Sequence, residues 1–151
     1  MLDEYEKKRY FKKTPEPSAI NLNKSSNKPI FVVQRHDARN LHYDFRLEIN
    51  GVLKSWAIPK EPPKDAGIRR LAIETEDHPL AYADFEGEIP VGEYGAGKVE
   101  IWDRGTFEIL KHEEKEILVT LEGKELRGIY VLVRTKYGKR ENGWLFFKKA
   151  D

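Results

Sequence analysis

Between His36 and Glu48 the chain concentrates residue types that bind metals and anions. His42, Asp44, Arg46 and Glu48 follow one another at steps of two. Side chains alternate across an extended backbone, so these four share one face of a strand while Leu41, Tyr43, Phe45, Leu47 and Ile49 share the other. A surface strand normally offers Lys, Thr, Glu and Ser to water; this one offers two metal-ligand types and then a permanent cation. His36 ends the apolar run 30–35, and Asp37-Ala38-Arg39-Asn40 is turn-like. A hairpin of that shape brings His36, His42 and Asp44 to one ion with positions left open for water and substrate, as a catalytic metal site requires. Arg46, next on the same face, offers a planar fork for a phosphate or carboxylate oxygen. On spacing alone, isolated surface histidines and a plain cross-strand ion pair at Arg46 remain open alternatives.

His78 lies in Glu76-Asp77-His78-Pro79-Leu80-Ala81-Tyr82-Ala83-Asp84-Phe85-Glu86-Gly87. The stretch combines an imidazole, a phenol and several acids, groups that position phosphate or move protons; taken alone it reads as a polar loop. His112 sits in a charged run and is expected to be exposed. Gly92, Gly95 and Gly97 flank Tyr94 without any phosphate-loop or dinucleotide pattern, and are expected to make turns. No Ser-His-Asp or GxSxG context is present. Trp56, Trp102 and Trp144 fall on strand patterns and are assigned to the core.

The elements that must position these groups are mostly β. Candidate strands are 30–35, 41–49, 52–58, 70–76, 97–102, 105–110, 117–121, 129–135 and 144–149, each rich in branched and aromatic residues. Asn50-Gly51 is a type I′ hairpin turn, because both central positions need positive φ. Asp103-Arg104-Gly105, Glu122-Gly123-Lys124 and Tyr137-Gly138-Lys139 mark further turns, giving a meander that closes as a small barrel or sandwich. Residues 1–29 form an arm, with a short charged helix over 2–13 broken at Thr14-Pro15-Glu16-Pro17; residues 30–151 form the domain.

With 39% apolar and 35% charged residues the chain is globular, not disordered. It has no cysteine, which excludes disulfides and thiolate metal sites. A metal would be held by imidazole, carboxylate and water, leaving Mn²⁺, Mg²⁺, Fe²⁺ and Zn²⁺ open. No stretch is long and apolar enough for a membrane span, and the charged N-terminus lacks the apolar run of a secretory signal, so the expected location is cytoplasmic. Net charge is +1, but residues 1–70 carry 15 Lys/Arg against 9 Asp/Glu, and residues 71–151 carry 12 against 17. Arg35, Arg39, Arg46, Lys60, Arg69 and Arg70 share the segment with the ligand candidates, which favours an anionic substrate over generic polyanion binding.

The run from Phe31 to Glu48, the following Gly51–Lys60, the blocks Glu76–Leu80, Tyr82–Gly87 and Ile101–Gly105, and the closing Gly143-Trp144-Leu145 together resemble the 3′-phosphoesterase domain of bacterial ATP-dependent DNA ligase D and its free-standing archaeal relatives. The resemblance implies a compact antiparallel β-barrel and a Mn²⁺-dependent enzyme that heals 3′ ends of DNA or RNA. Such an enzyme removes a 3′-terminal ribonucleoside as a phosphodiesterase, then the 3′-phosphate as a phosphomonoesterase. It implies His36, His42 and Asp44 as metal ligands, Arg46, His78 and Tyr82 as phosphate and transition-state contacts, and Gln34, Lys60, Arg70 and Glu76 as supporting residues. In the arm, Arg9 and Glu16 match an arginine and a glutamate used for activity, whereas Tyr10 stands where ligase-linked enzymes usually carry an acid. Primer-template ends bearing a ribonucleotide or a 3′-phosphate are the implied substrate, with a ligase or repair complex as partner by analogy. No ligase or polymerase segment is recognisable, so a stand-alone enzyme is expected.

Within that reading, Arg46 and His78 offset charge at the breaking P–O bond, His78 supplies the leaving-group proton, and either water or a substrate 2′-hydroxyl attacks. Two rivals use the same residues. A non-haem Fe(II) oxygenase would combine His42, Asp44 and His78 as its triad. A non-catalytic module would clamp nucleic-acid ends with the basic patch.

Overall fold

The computed structural model describes residues 28–93, 96–135 and 142–150. The arm, with its expected helix and with Arg9, Tyr10 and Glu16, lies outside them, as do Tyr94, Gly95 and the 137–139 turn. In chain order the elements are β1 Ile30–Asp37, β2 Leu41–Ile49, β3 Val52–Ile58, β4 Arg69–Pro79, a 3₁₀ helix at Leu80–Asp84, β5 Gly87–Ile89, β6 Gly97–Glu113, β7 Glu116–Glu122, β8 Arg127–Arg134 and β9 Gly143–Lys148.

The hairpin between β2 and β3 forms as its turn residues require: Asn50 has φ 53° and Gly51 φ 82°. A two-residue turn leaves no freedom in register, so Ile49 pairs with Val52 and, three steps on, Arg46 pairs with Ser55. Strand order is β1-β2-β3-β4-β9-β8-β7-β6-β5, and β1 pairs again with β6. That second pairing closes an eight-stranded antiparallel barrel, with β5 added along the start of β6. The barrel, not the sandwich, is the fold.

Phe31, Val33, Phe45, Leu47, Trp56, Phe107, Tyr130, Trp144 and Phe146 fill the interior, each essentially excluded from water. Burying one such side chain contributes roughly 1.5–3 kcal/mol, which makes this packing the main source of stability. Trp102 packs at its edge.

Two local expectations are corrected. Asp103-Arg104-Gly105 is not a turn; 97–102 and 105–110 belong to the single long strand β6. Asp103 is turned to another purpose, since its carboxylate accepts the N–H groups of Lys124, Glu125 and Leu126 at 2.8, 3.1 and 2.9 Å and so caps the β7–β8 turn. Gly105 permits β6 to run on because a Cβ there would collide with the backbone at Glu122 and Gly123. Second, Glu76–Pro79 are the end of β4 rather than loop.

A second apolar cluster lies outside the barrel, where Val32 and Leu53 meet Tyr82 and Ala83 of the 3₁₀ helix, with Ile30, Leu80, Phe85 and Ile101 around them. The helix therefore roofs the outer face of β1–β3. That roof places the polar face of β2 in a half-enclosed space.

Candidate functional site

The site is built on the outer face of β1, β2 and β3. Cross-strand register sets His36 opposite His42 and Gln34 opposite Asp44. The two imidazoles lie 4.8 Å apart between ring centroids. Asp44 Oδ2 is approached by His36 Nδ1 at 3.5 Å, His42 Nε2 at 3.3 Å and Arg46 Nη2 at 3.5 Å. One potential ligand atom from each of His36, His42 and Asp44 falls within 4.8 Å of the others.

These residues suit a divalent ion. His42 Nδ1 lies 2.9 Å from the Asn40 carbonyl, which can only accept, so Nδ1 carries a proton; Nε2 donates to Asp44 when protonated and offers its lone pair to an ion once that proton is displaced. Ligands about 2.1 Å from a common ion stand about 3–3.4 Å apart when adjacent, and the two spacings to Asp44, 3.5 and 3.3 Å, are close to that. Asp44 and Arg46 cancel in charge, so a dication would leave the centre net positive and matched to a phosphate. His42, with 26% of its side chain exposed, forms the open edge, while Asp44 and Arg46 are buried.

The ionisation of the set follows from this geometry. Burial opposes charge on Asp44, yet Arg46 and the bonds from His36 and His42 outweigh it and hold the carboxyl far below the usual range. Burial likewise opposes a charged His42, but the hydrogen bond and charge of Asp44 with the Asn40 carbonyl bring its pKa above the ordinary imidazole value.

Arg46 is 3% exposed and held on every side. Its Nε donates to Gln34 Oε1 at 2.6 Å and its Nη1 to Ser55 Oγ at 2.9 Å. The guanidinium lies 4.9 Å from the centre of the Tyr82 ring, on which His78 also packs at 5.1 Å. Tyr82 is backed by Phe85 at 5.0 Å. Gln34 Nε2 donates to the carbonyls of Tyr82 and Phe85 at 2.9 and 3.2 Å, tying the roof to β1. His78 Nδ1 lies 3.0 Å from the Glu76 carbonyl, which can only accept, so Nδ1 carries a proton.

The structure thus gathers His36, His42, Asp44, Arg46, Gln34, His78 and Tyr82 into one region. His36, and not His78, joins His42 and Asp44, so the oxygenase triad built on His78 is not assembled. Glu76 contributes its carbonyl. Lys60 is exposed just beyond β3, at the end of the sheet that carries His42. Arg70 shares the face of core residue Ala72, on the other side of the sheet from Arg46, and donates Nε to the Glu61 carbonyl at 2.8 Å. The sequence-adjacent arginines do not form one patch: Arg35 faces Glu100 at 3.9 Å and Arg69 lies over Phe147. His112 is exposed, as expected. Ser55 is the participant that residue-type reasoning passed over, although the Asn50-Gly51 turn already places it opposite Arg46.

A barrel carrying a His-His-Asp centre beside an immobilised arginine defines an antiparallel β-barrel domain with a candidate metal site suited to an anion. The profile of the DNA Ligase D 3′-phosphoesterase domain matches residues 34–134. The chain belongs to that family. It is 47% identical over 156 residues to the multifunctional non-homologous end joining protein LigD of Pseudomonas aeruginosa, covering 99% of this chain and 19% of the relative. The LigD proteins of Mycobacterium tuberculosis and Mycolicibacterium smegmatis are 51% and 45% identical over 138 and 161 residues, covering 89% and 99% of this chain and 18% and 21% of theirs. The chain spans about a fifth of the length of these relatives. Among the described residues no helix is long and apolar enough to cross a membrane.

Proposed function

We propose that this domain heals 3′ ends of nucleic acid with Mn²⁺ held by His36, His42 and Asp44. It removes a 3′-terminal ribonucleoside by cleaving the phosphodiester, then hydrolyses the remaining 3′-phosphate to a 3′-hydroxyl. The relatives are named for non-homologous end joining, and the same context, alongside a ligase, is proposed here. The observation that carries the reading is Arg46, a buried guanidinium braced by Gln34, Ser55 and Tyr82 directly beside the His-His-Asp set.

The bound metal supplies Lewis-acid polarisation of a phosphoryl oxygen. Arg46 binds the non-bridging oxygens and, being braced before substrate arrives, needs no reorganisation as charge builds in the transition state. Water adds at phosphorus, and the proton it gives up replaces the one that His78 loses. The departing oxygen, O5′ of the ribonucleoside in the first step and O3′ of the chain in the second, takes the proton that His78 carries on Nε2. Tyr82 keeps Arg46 and His78 in register by packing on both. Lys60, beside the open edge, steers the strand, and Glu76 holds His78 through its carbonyl; Arg9 and Glu16 are proposed to support substrate binding, and Arg70, from the other face of the sheet, to hold the segment at Glu61 next to Lys60.

Incubating a 5′-labelled primer-template bearing one 3′-terminal ribonucleotide, with and without Mn²⁺, tests this directly. A 3′-phosphate product that converts to 3′-hydroxyl only with metal is expected. Binding of the end without either product, unaffected by His42→Ala, would replace the enzyme by a clamp.

A further inference from the structure

We infer that Ser55 is a positioning residue that couples Arg46 to the strand carrying His78. This rests on the phosphoesterase reading and extends it to a residue that touches no substrate.

Ser55 is fully buried. Counting back from the Asn50-Gly51 turn, Ile49 and Val52 form a hydrogen-bonded pair, so Arg46 and Ser55 form a non-hydrogen-bonded one, the type in which side chains stand closest. That is why Arg46 Nη1 reaches Ser55 Oγ at 2.9 Å. By the same alternation the backbone of Leu53 and Ser55 faces β4. There the ladder slips: Leu53 pairs with His78 but Ser55 pairs with Thr75, leaving an extra residue in β4. Such a bulge re-aims the side chains that follow it. Ser55 Oγ donates to the Leu53 carbonyl at 3.0 Å at this point. With its one proton committed there, the hydroxyl can only accept from Arg46. A single oxygen therefore fixes the direction of the guanidinium and secures the bulge from which His78 emerges. Alanine keeps the strand but removes both bonds.

The experiment compares wild type with Ser55→Ala, Ser55→Thr and Ser55→Cys. Three quantities are read: release of phosphate from a 3′-phosphate primer, competition by inorganic phosphate, and Mn²⁺ affinity by electron paramagnetic resonance. Loss of a hydrogen bond to a charged group is expected to lower kcat/KM at least about tenfold in Ser55→Ala. Inorganic phosphate should compete correspondingly less well, while Mn²⁺ affinity is unchanged because no metal ligand moves. Ser55→Thr, which retains the hydroxyl, should stay within about threefold of wild type. If Ser55→Ala does not fold, the near-isosteric Ser55→Cys decides, and it should show the same loss. Unaltered phosphate competition in whichever of these folds, or equal losses in Ser55→Ala and Ser55→Thr, would overturn the inference. A wild type that releases no phosphate sinks the enzyme reading itself, whereas an active wild type matched by Ser55→Ala sinks only the role given to Ser55.

Discussion

Replacing Gln34 by Met tests whether the roof and the arginine are joined through one amide. Gln34 is fully buried. Its oxygen accepts from Arg46 Nε at 2.6 Å and its nitrogen donates to two carbonyls of the 3₁₀ region. Met has nearly the same length and can occupy the space, so the effect is one of lost bonds and not of a cavity. The bond to a charged group contributes about 1.5–3 kcal/mol and each of the two neutral ones about 1 kcal/mol, so roughly 4 kcal/mol of stability is at stake. For a domain of this size that corresponds to a fall in Tm of about 10 °C. Differential scanning calorimetry gives the stability and Mn²⁺-dependent phosphate release gives the function. Gln34→Glu separates the two ends of the amide: it keeps an acceptor for Arg46 but sets an oxygen against the Tyr82 and Phe85 carbonyls, so the roof alone should loosen. A Tm for Gln34→Met within 2 °C of wild type would refute the reasoning, because a buried three-bond bridge cannot vanish without cost.

Other outcomes follow from the same geometry. In metal-free protein the raised pKa of His42 contributes stability that is complete below its unfolded value of 6.5 and is lost as pH rises through the folded one; the lowered pKa of Asp44 contributes stability that is present above 3.8 and lost as pH falls. Thermal melts should therefore show apo stability declining slightly from pH 6 to 8, while the increment from added Mn²⁺ grows because protons compete for His42; a flat increment would count against His42 as a ligand. Gly97 has φ 136°, and a Cβ there would lie 2.5 Å from the Asp37 carbonyl oxygen and 2.7 Å from Ala38 Cα. Gly97→Ala should displace the turn between His36 and His42 and weaken Mn²⁺ binding at least about tenfold, whereas Gly92→Ala, which meets nothing, should not; equal Mn²⁺ titrations for the two variants would contradict this. Asp103→Ala removes three backbone caps and should cost about 2–4 kcal/mol in urea unfolding, with Mn²⁺ affinity intact.

Much of the centre is written along β2. Two-residue alternation alone puts His42, Asp44 and Arg46 on one face, and a turn that demands positive φ at both positions sets which residue of β3 lies opposite each of them. Both are local properties of the chain, decided by sterics within a few bonds, and so the first three strands and the grouping of His36, His42 and Asp44 could be read directly. The pairing of β1 with β6 could not, because closure joins segments far apart in sequence and depends on the shape of the whole sheet.

The polar face of β2 illustrates the boundary. Alternation says which side chains share it but not whether water does. Leu80–Asp84 fold onto the outside of the barrel, held by Gln34 and by packing on Val32 and Leu53. Only this makes Arg46 a buried cation and brings Tyr82 and His78 beside it. Likewise Asp103-Arg104-Gly105 has the composition of a turn, and became strand because the carboxylate found donors on a distant loop. Local stereochemistry chose the candidate ligands; long-range packing chose their dielectric and their company, since burial is a property of what the rest of the chain places on top.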